Sequence, residues 1–261
     1  MENLENKNYI FLIDADGTLV QEGTKVIKEN IINKIKDLKK KGHIFVMATG
    51  RVLNDVVTIT GAEVFDYYAV LMGNYIYNAK TLDVVQKLEY LSKDVVEKLV
   101  KYLDDNDIYW SYKTAVSQKS YHQAKGIAEK YLAEDCSKED YIRDLNNGKI
   151  QQILTDGYIE KKVQDKFSNL NFFEMPQNYT DISHKNSSKE NVVKYFRQNY
   201  KDYTIVSIGD SQNDLPMLKV ADISIVMGNA LEDVKRYANF VTTDIDEDGL
   251  INAFDMLDSA K

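Results

Sequence analysis

Apolar positions along this 261-residue chain fall into two rhythms. Tyr9-Ile10-Phe11-Leu12-Ile13, Ile44-Phe45-Val46-Met47-Ala48 and Tyr68-Ala69-Val70-Leu71-Met72 are short, nearly unbroken apolar runs, and residues 203–208 and 223–227 repeat the pattern. Runs of this length read as strands covered on both faces, as in a parallel sheet. Between the first two, Val26, Ile27, Ile31, Ile35 and Leu38 recur at helical spacing until Gly42 stops them. Residues 188–197 and 214–220 carry the same helical signal. The alternation predicts an α/β fold, a Rossmann-like parallel sheet with helices on both faces.

From about Thr81 the rhythm changes. Residues 84–91, 108–112, 149–154 and 171–175 mix apolar and polar side chains in the manner of strands with one wet face. Residues 94–103, which Ser92 can cap, and residues 123–132 and 158–167 are spaced as helices. These elements predict an α+β domain inserted at residues 82–184. It divides a core made of residues 1–81 and 185–261.

Composition narrows the function classes. A net charge of −8 supplies no general basic surface for nucleic acid, whose binding depends on displacing counterions from phosphate. No apolar run reaches the roughly 18–20 residues that span a bilayer. The first seven residues are polar and lack the order of a signal peptide. The single cysteine, Cys136, fits a reducing compartment. These features predict a cytoplasmic protein that handles a small molecule, and they assign no oligomeric state. An acidic protein that binds an anion needs local cations or a metal ion to do so.

The candidate chemistry sits at strand ends. The first run terminates in Asp14-Ala15-Asp16-Gly17-Thr18, and in open α/β sheets the ligand crevice lies beyond the carboxyl ends of the strands. Two carboxylates so close repel each other and invite a hard cation such as Mg²⁺. Gly17 permits an unusual turn, and Thr18 can tie it by hydrogen bonding. The same pentapeptide also suits an Asp-Gly turn that merely ends a strand. The run at 203–208 leads into Gly209-Asp210-Ser211-Gln212-Asn213-Asp214, whose acids offer further ligands to one sheet edge. Thr49-Gly50-Arg51 follows the second run; a hydroxyl and N–H groups at a helix start suit phosphoryl oxygens, although an ordinary N-cap looks the same. Lys189 opens a helix after the insertion and, taken alone, reads as a surface charge.

In this order the four segments resemble the motifs of the haloacid dehalogenase superfamily, and most closely its Cof-type, subfamily IIB, sugar-phosphatase-like branch. Ile13-Asp14-Ala15-Asp16-Gly17-Thr18-Leu19 and Ala48-Thr49-Gly50-Arg51 are similar to the first two motifs. Ser188-Lys189 is similar to the third, and Gly209 to Asp214 with Pro216-Met217-Leu218 to the fourth. Met227-Gly228-Asn229-Ala230 and Glu247-Asp248-Gly249-Leu250 resemble the family's tail. The likeness covers residues 9–80 and 184–255, while the inserted cap matches only in position and type. It implies a phosphoric monoester hydrolase that uses Mg²⁺ and acts on a small phosphorylated metabolite, a sugar phosphate above all. Asp14 is then the nucleophile that forms an aspartyl-phosphate, and Asp16 the acid and base. Asp14, Asp16 (through its carbonyl), Asp210 and Asp214 are implied at the metal, and Thr49, Gly50, Lys189 and Asn213 at the phosphate. Ala15 is expected to turn only its carbonyl toward the metal. One departure stands out. After the third strand the family has Asn-Gly and a small residue, whereas this chain has Met72-Gly73-Asn74-Tyr75, read as an inverted pair followed by a bulky tyrosine.

Asp16 argues for phosphate chemistry, because a dehalogenase needs no acid two residues past its nucleophile. A phosphosugar mutase of the same superfamily and a catalytically silent phosphometabolite-binding protein stay open. A receiver-type signalling module is about half this length and has no such insertion. For substrate specificity the candidates are Arg51 and, in the insertion, Trp110, Tyr112, Lys113 and His184. Aromatic rings stack on sugars and lysine binds anions, yet alternate members of that strand equally suit a core, and His184 equally suits a linker. His43 and His122 show no partner spacing and read as surface positions.

Overall fold

The computed structural model describes residues 8–21, 23–88, 91–121, 133–175 and 178–258. The chain divides into two compact units, one of residues 1–51, 55–87 and 188–261, the other of residues 52–54 and 88–187.

In the first unit the buried runs become β1 (Asn8–Ile13), β2 (Ile44–Ala48) and β3 (Tyr67–Val70), followed by β4 (Tyr75–Asn78) and β5 (Val84–Lys87). In the second unit lie β6 (Trp110–Lys113), β7 (Gln118–Ser120), β8 (Glu134–Asp135), β9 (Gln152–Asp156), β10 (Leu170–Met175) and β11 (Tyr179–His184). The chain then returns to the first unit with β12 (Tyr203–Gly209), β13 (Ile223–Val226) and β14 (Phe240–Val241).

The first sheet has the order β14-β13-β12-β1-β2-β3-β4-β5. β1 is central and pairs in parallel with β12 and β2, Ile13 lying opposite both Ile208 and Met47. The strand order therefore switches at β1, the position at which open α/β sheets place their ligands beyond the strand ends. Both faces are covered, which is why the runs are apolar throughout. Ile10, Leu12, Val46 and Ile205 pack with Val192, Val193 and Phe196 of the helix Glu190–Asn199. On the opposite side Phe11 stacks on Phe45 at 4.8 Å and meets Phe254 of the helix Gly249–Asp258 edge-on at 5.2 Å. The helix Glu29–Lys40 turns Ile31, Ile35 and Leu38 inward beside it. Each such side chain, once buried, stabilises the unit by about 1.5–3 kcal/mol.

The structure departs from the sequence pattern in several places. The first helix starts at Glu29, and Val26 is exposed in an isolated bridge to Thr60. The third run stops at Val70 because Leu71, Met72 and Gly73 take φ of 50°, 59° and 83°. β4 and β5 extend the sheet as antiparallel strands, so residues 84–87 join the first sheet and not the insertion. An edge strand buries little, and β5 is mostly exposed, hence its polar rhythm. His43 is buried, not a surface residue: its Nδ1 accepts from Tyr9 N at 3.0 Å.

The second sheet runs β10-β11-β9-β6-β7-β8 and is antiparallel except between β7 and β8. Trp110, Tyr112, Ile153 and Ile182 form an apolar cluster with Val96, Leu99 and Leu103 of the helix Lys93–Asp105, whose cap Ser92 accepts from Val95 N at 3.4 Å. Tyr141 and Leu145 of the helix Lys138–Asn146 complete it, and Ser137 with Asp140 closes that helix's capping box. The 158–167 stretch is helical only over Lys161–Gln164. β11 had no counterpart in the sequence pattern. The expected helix at 123–132 and His122 lie outside the described residues.

Candidate active site

Asp14 is the first residue beyond β1, tied to the neighbouring strand by its own N–H, which donates to Ile208 O at 3.0 Å. Its side chain is almost wholly buried. The reason it tolerates this position is Lys189, a lysine with no solvent exposure at the start of the helix Glu190–Asn199. The ammonium donates to Asp14 Oδ1 and, at 2.6 Å, to Asp214 Oδ1. A lysine that reads as a surface charge is thus the counter-ion of a buried acid pair. Burial works against its charge, but Asp14 and Asp214 outweigh burial and hold its pKa above the ordinary lysine value.

Asp210 completes the cluster. Asp14, Asp210 and Asp214 each bring a carboxylate oxygen within 4.8 Å of the others. Three carboxylates against one ammonium leave two negative charges without a local counter-ion. Burial, and after it the repulsion of Asp214, pushes Asp14 well above the usual carboxylate range. The same two causes raise Asp210 to about 6, against the hydrogen bond from Thr18. An undercompensated, all-oxygen donor set of this kind fits a hard divalent cation.

The loops that build the cluster are specific about their residues. Gly17 has φ +82°, and a Cβ there would lie 2.5 Å from Asp210 Oδ2. Only glycine lets the two loops approach so closely. Thr18 Oγ1 donates to Asp210 Oδ1 at 2.7 Å, so this hydroxyl ties the two loops to each other. Asp214 is oriented by its own turn: its Oδ2 accepts from the N–H of Asp210 (3.1 Å) and Ser211 (3.0 Å) and from Ser211 Oγ (3.2 Å). Ser211 was not singled out from sequence, and neither was the function of Asn229, which donates to Gly17 O at 2.9 Å and accepts from Ile245 N at 3.2 Å. Its place in the tail motif was the available signal. The Ala15 carbonyl corrects an expectation, since it accepts from Leu19 N and Val20 N, both at 2.9 Å, and is committed to the turn.

Thr49 extends β2 and is buried, its N–H donating to Ala69 O at 2.8 Å and its Oγ1 accepting from Arg51 N at 3.1 Å. Gly50 is half-buried beside it. Asp16 stands apart from the three-carboxylate cluster. Its Oδ2 accepts from Arg51 Nε at 2.9 Å and its Oδ1 from Arg51 Nη2 at 2.5 Å, a two-pronged ion pair. Hydrogen bonding to Asp16 is the main reason the Arg51 pKa lies above its ordinary value.

Several expected site residues do other work. Asn213 is exposed and accepts from Ser211 Oγ at 2.9 Å. Trp110 and Tyr112 correct the specificity expectation: both are buried in the apolar cluster of the second sheet. Trp110 Nε1 donates to Asp104 at 2.9 Å and the Tyr112 hydroxyl to Asp144 at 3.2 Å, so their polar ends are used inside that unit. Lys113 alternates to the opposite face, 4.0 Å from Asp181. His184 ends β11, and its Nδ1 accepts from Asn186 N at 3.1 Å in a local turn. The turn after β3 reads one residue earlier than its sequence suggested. Gly73 needs to be glycine, as a Cβ would lie 2.7 Å from Val192 Cγ2, and Met72 before it holds the left-handed conformation that asparagine favours. Met72-Gly73 thus fills the place of Asn-Gly, with one substitution and no inversion.

Residues 11–254 match the haloacid dehalogenase-like hydrolase family. The chain is 27% identical to the 5-amino-6-(5-phospho-D-ribitylamino)uracil phosphatase YitU of Bacillus subtilis (strain 168), across 95% of this chain and 96% of that protein. Its fold is similar to that of BT1666 from Bacteroides thetaiotaomicron, a phosphatase of the same superfamily, with a TM-score of 0.83 and 24% identity over 97% of this chain and 96% of that one. The subclass IIB sugar phosphatase BT4131 superposes with a TM-score of 0.79 at 23% identity, over 96% and 99% of the two chains. With three of its motifs at the ends of the adjacent strands β12, β1 and β2 and the remaining one opening the helix that brings Lys189 to them, the chain belongs to the haloacid dehalogenase-like hydrolases, as an enzyme of their phosphatase kind.

Proposed function

We propose that the protein is a Mg²⁺-dependent phosphatase that hydrolyses a small phosphorylated metabolite of the sugar-phosphate class through an aspartyl-phosphate on Asp14. The observation that carries this reading is the gathering of the Asp14, Asp210 and Asp214 carboxylates, two of them paired with one buried lysine. The substrate class is supported by the likeness to a sugar phosphatase and to a phosphatase named for a phosphorylated ribityl compound.

Asp14 attacks phosphorus in line; its oxygen–phosphorus bond forms as the ester oxygen–phosphorus bond breaks. Asp16 gives a proton to the departing alkoxide, then takes one from the water that attacks the aspartyl-phosphate and frees Asp14. Thr49 and Lys189 hold phosphoryl oxygens, with the Thr49 hydroxyl proton free to donate while its oxygen accepts from Arg51 N. Asp14, Asp210 and Asp214, with the Asp16 carbonyl, would hold the metal ion, and Ser211 fixes the direction of Asp214. Bound there, Mg²⁺ supplies charge neutralisation between the carboxylate nucleophile and the anionic phosphate. The second unit acts as a cap that limits water and selects the leaving group.

The test is release of phosphate from 4-nitrophenyl phosphate and a panel of phosphorylated sugars, nucleotides and pyridoxal phosphate. Turnover that requires Mg²⁺, stops on chelation and is lost in Asp14→Asn and Asp210→Asn is expected. Full turnover in either variant would remove the proposed site, and isomerisation of a hexose phosphate without phosphate release would make the enzyme a mutase.

A further inference from the structure

Arg51 follows Thr49-Gly50, a position that invites a role in gripping the substrate phosphate. Its surroundings argue otherwise. Nε and Nη2 are both spent on the two oxygens of Asp16, at 2.9 and 2.5 Å, and Nη2 also donates to Thr24 O at 3.3 Å. The Arg51 side chain is only 15% exposed, whereas that of Asp16 is 38% exposed, so the acid and not the arginine is the more open member of the pair. The arginine backbone is fixed as well. Its N–H donates to Thr49 Oγ1 at 3.1 Å, and its carbonyl accepts from Leu71 N at 3.0 Å at the start of the left-handed turn. A planar fork held at both its root and its tip sets the plane and direction of the carboxyl group it grips.

Asp16 needs such a guide. It lies on a tight loop with no hydrogen bond to the Asp14–Asp210–Asp214 cluster, and a half-exposed carboxylate left alone samples several rotamers. Proton transfer to a leaving oxygen works only within hydrogen-bond reach and direction.

We infer that Arg51 is a positioning residue for Asp16, fixing where the proton-transferring carboxyl points, and not an anchor for the substrate phosphate. The inference rests on the phosphatase reading with Asp16 as acid, and it predicts a signature that neither a phosphate anchor nor a fold-supporting residue gives. A leaving group that departs readily as an anion has little use for an acid. A basic leaving group depends on one. Loss of Arg51 therefore grows as the leaving group becomes more basic.

The experiment measures kcat/KM of wild type, Arg51→Gln, Arg51→Lys and Asp16→Asn with Mg²⁺ on 4-nitrophenyl, phenyl and 4-methoxyphenyl phosphate. Arg51→Gln is expected to lose only a few-fold on 4-nitrophenyl phosphate. On 4-methoxyphenyl phosphate it is expected to lose about 100-fold, the lower bound of what a positioned acid contributes. KM stays within a few-fold, and Asp16→Asn steepens the series in the same sense. Arg51→Lys, which keeps the charge but gives up the fork, steepens it less. An equal loss on all three esters, or a loss carried mainly by KM, overturns the inference in favour of phosphate binding or general structure. Melting temperatures identify a variant that fails by unfolding, in which case the Arg51→Lys series decides alone, a flat series overturning the inference. If wild type releases no phosphate from any ester, the phosphatase reading itself fails, a result separate from any slope.

Discussion

The two sheets bury polar side chains on different terms. At the carboxyl ends of β1 and β12, buried Asp14, Lys189 and Asp214 hold one another in ion pairs, and Thr18 and Ser211 complete the set. In the second unit, Gln151 just before β9, and Gln152, Thr155 Oγ1 and Asp181 Oδ1 in its sheet, hold buried side-chain atoms with no hydrogen-bond partner, against Ser207 Oγ on β12 in the first sheet. Burial raises the carboxyl pKa of Asp181, with only Lys113 acting against it. The contrast separates two sources of order. The first unit spends its buried charge on geometry at one sheet edge, and the second draws its stability from the apolar face around Trp110 and Tyr112. Unpartnered polar atoms on that sheet are a cost, each about 1–3 kcal/mol.

The largest effects come from breaking each source in turn. Lys189→Met leaves buried carboxylates without their cation, so chelator-treated protein at neutral pH is expected to lose about 3–5 kcal/mol in denaturant unfolding. A loss below about 1 kcal/mol would mean that the cluster is already neutralised by protons. Trp110→Ala removes the centre of the second unit's core and is expected to cost about 3–5 kcal/mol. It should lower turnover of every phosphate ester by the same factor under conditions where the protein stays folded. A change of substrate preference with an unaltered melting temperature would return Trp110 to the ligand.

Mg²⁺ and pH sharpen the comparison further. Burial raises Asp14 and Asp210 above their unfolded values, so at these two groups the folded, metal-free protein binds more protons than the unfolded chain. The stabilisation is complete below the ordinary carboxylate range and is lost as pH climbs through about 6, the value for Asp210. In chelator, lowering the pH from neutral toward that of ordinary carboxyl titration should raise stability by on the order of 2 kcal/mol. With Mg²⁺ bound the dependence should flatten, as calorimetry of the two forms would report. The smallest expected effect lies in the second sheet, where Thr155→Val removes a buried hydroxyl without a partner and should stabilise by about 1 kcal/mol. An equal loss would reveal a hydrogen-bonded water at that hydroxyl.

What could be read from the residues alone follows from how each feature is written in the chain. β1, β2 and β12 are buried on both faces, so their continuous apolar runs mark both the strands and the residues that follow them, Asp14, Thr49 and Asp210. β5 lies at the edge of its sheet, where mostly exposed positions resemble an insertion, and β11 is too polar on one face to stand out. Lys189 looked like surface because burial of a lysine depends on acids distant in sequence. The grip of Arg51 on Asp16 was equally hidden, since spacing places a side chain on a loop without giving its direction. Trp110 and Tyr112 share a face by alternation, but only the helix Lys93–Asp105 shows which face is dry.

The central claim, a covalent intermediate on Asp14, is tested most directly by acid-quenching the enzyme within one turnover of 4-nitrophenyl phosphate. Mass spectrometry then locates any phosphoryl group on the chain. A hydroxylamine-labile phosphoryl group on the peptide that contains Asp14, absent from Asp14→Asn, is the predicted result. Phosphate release that proceeds in wild type with the phosphoryl group on another residue, or with none at any quench time, would contradict it.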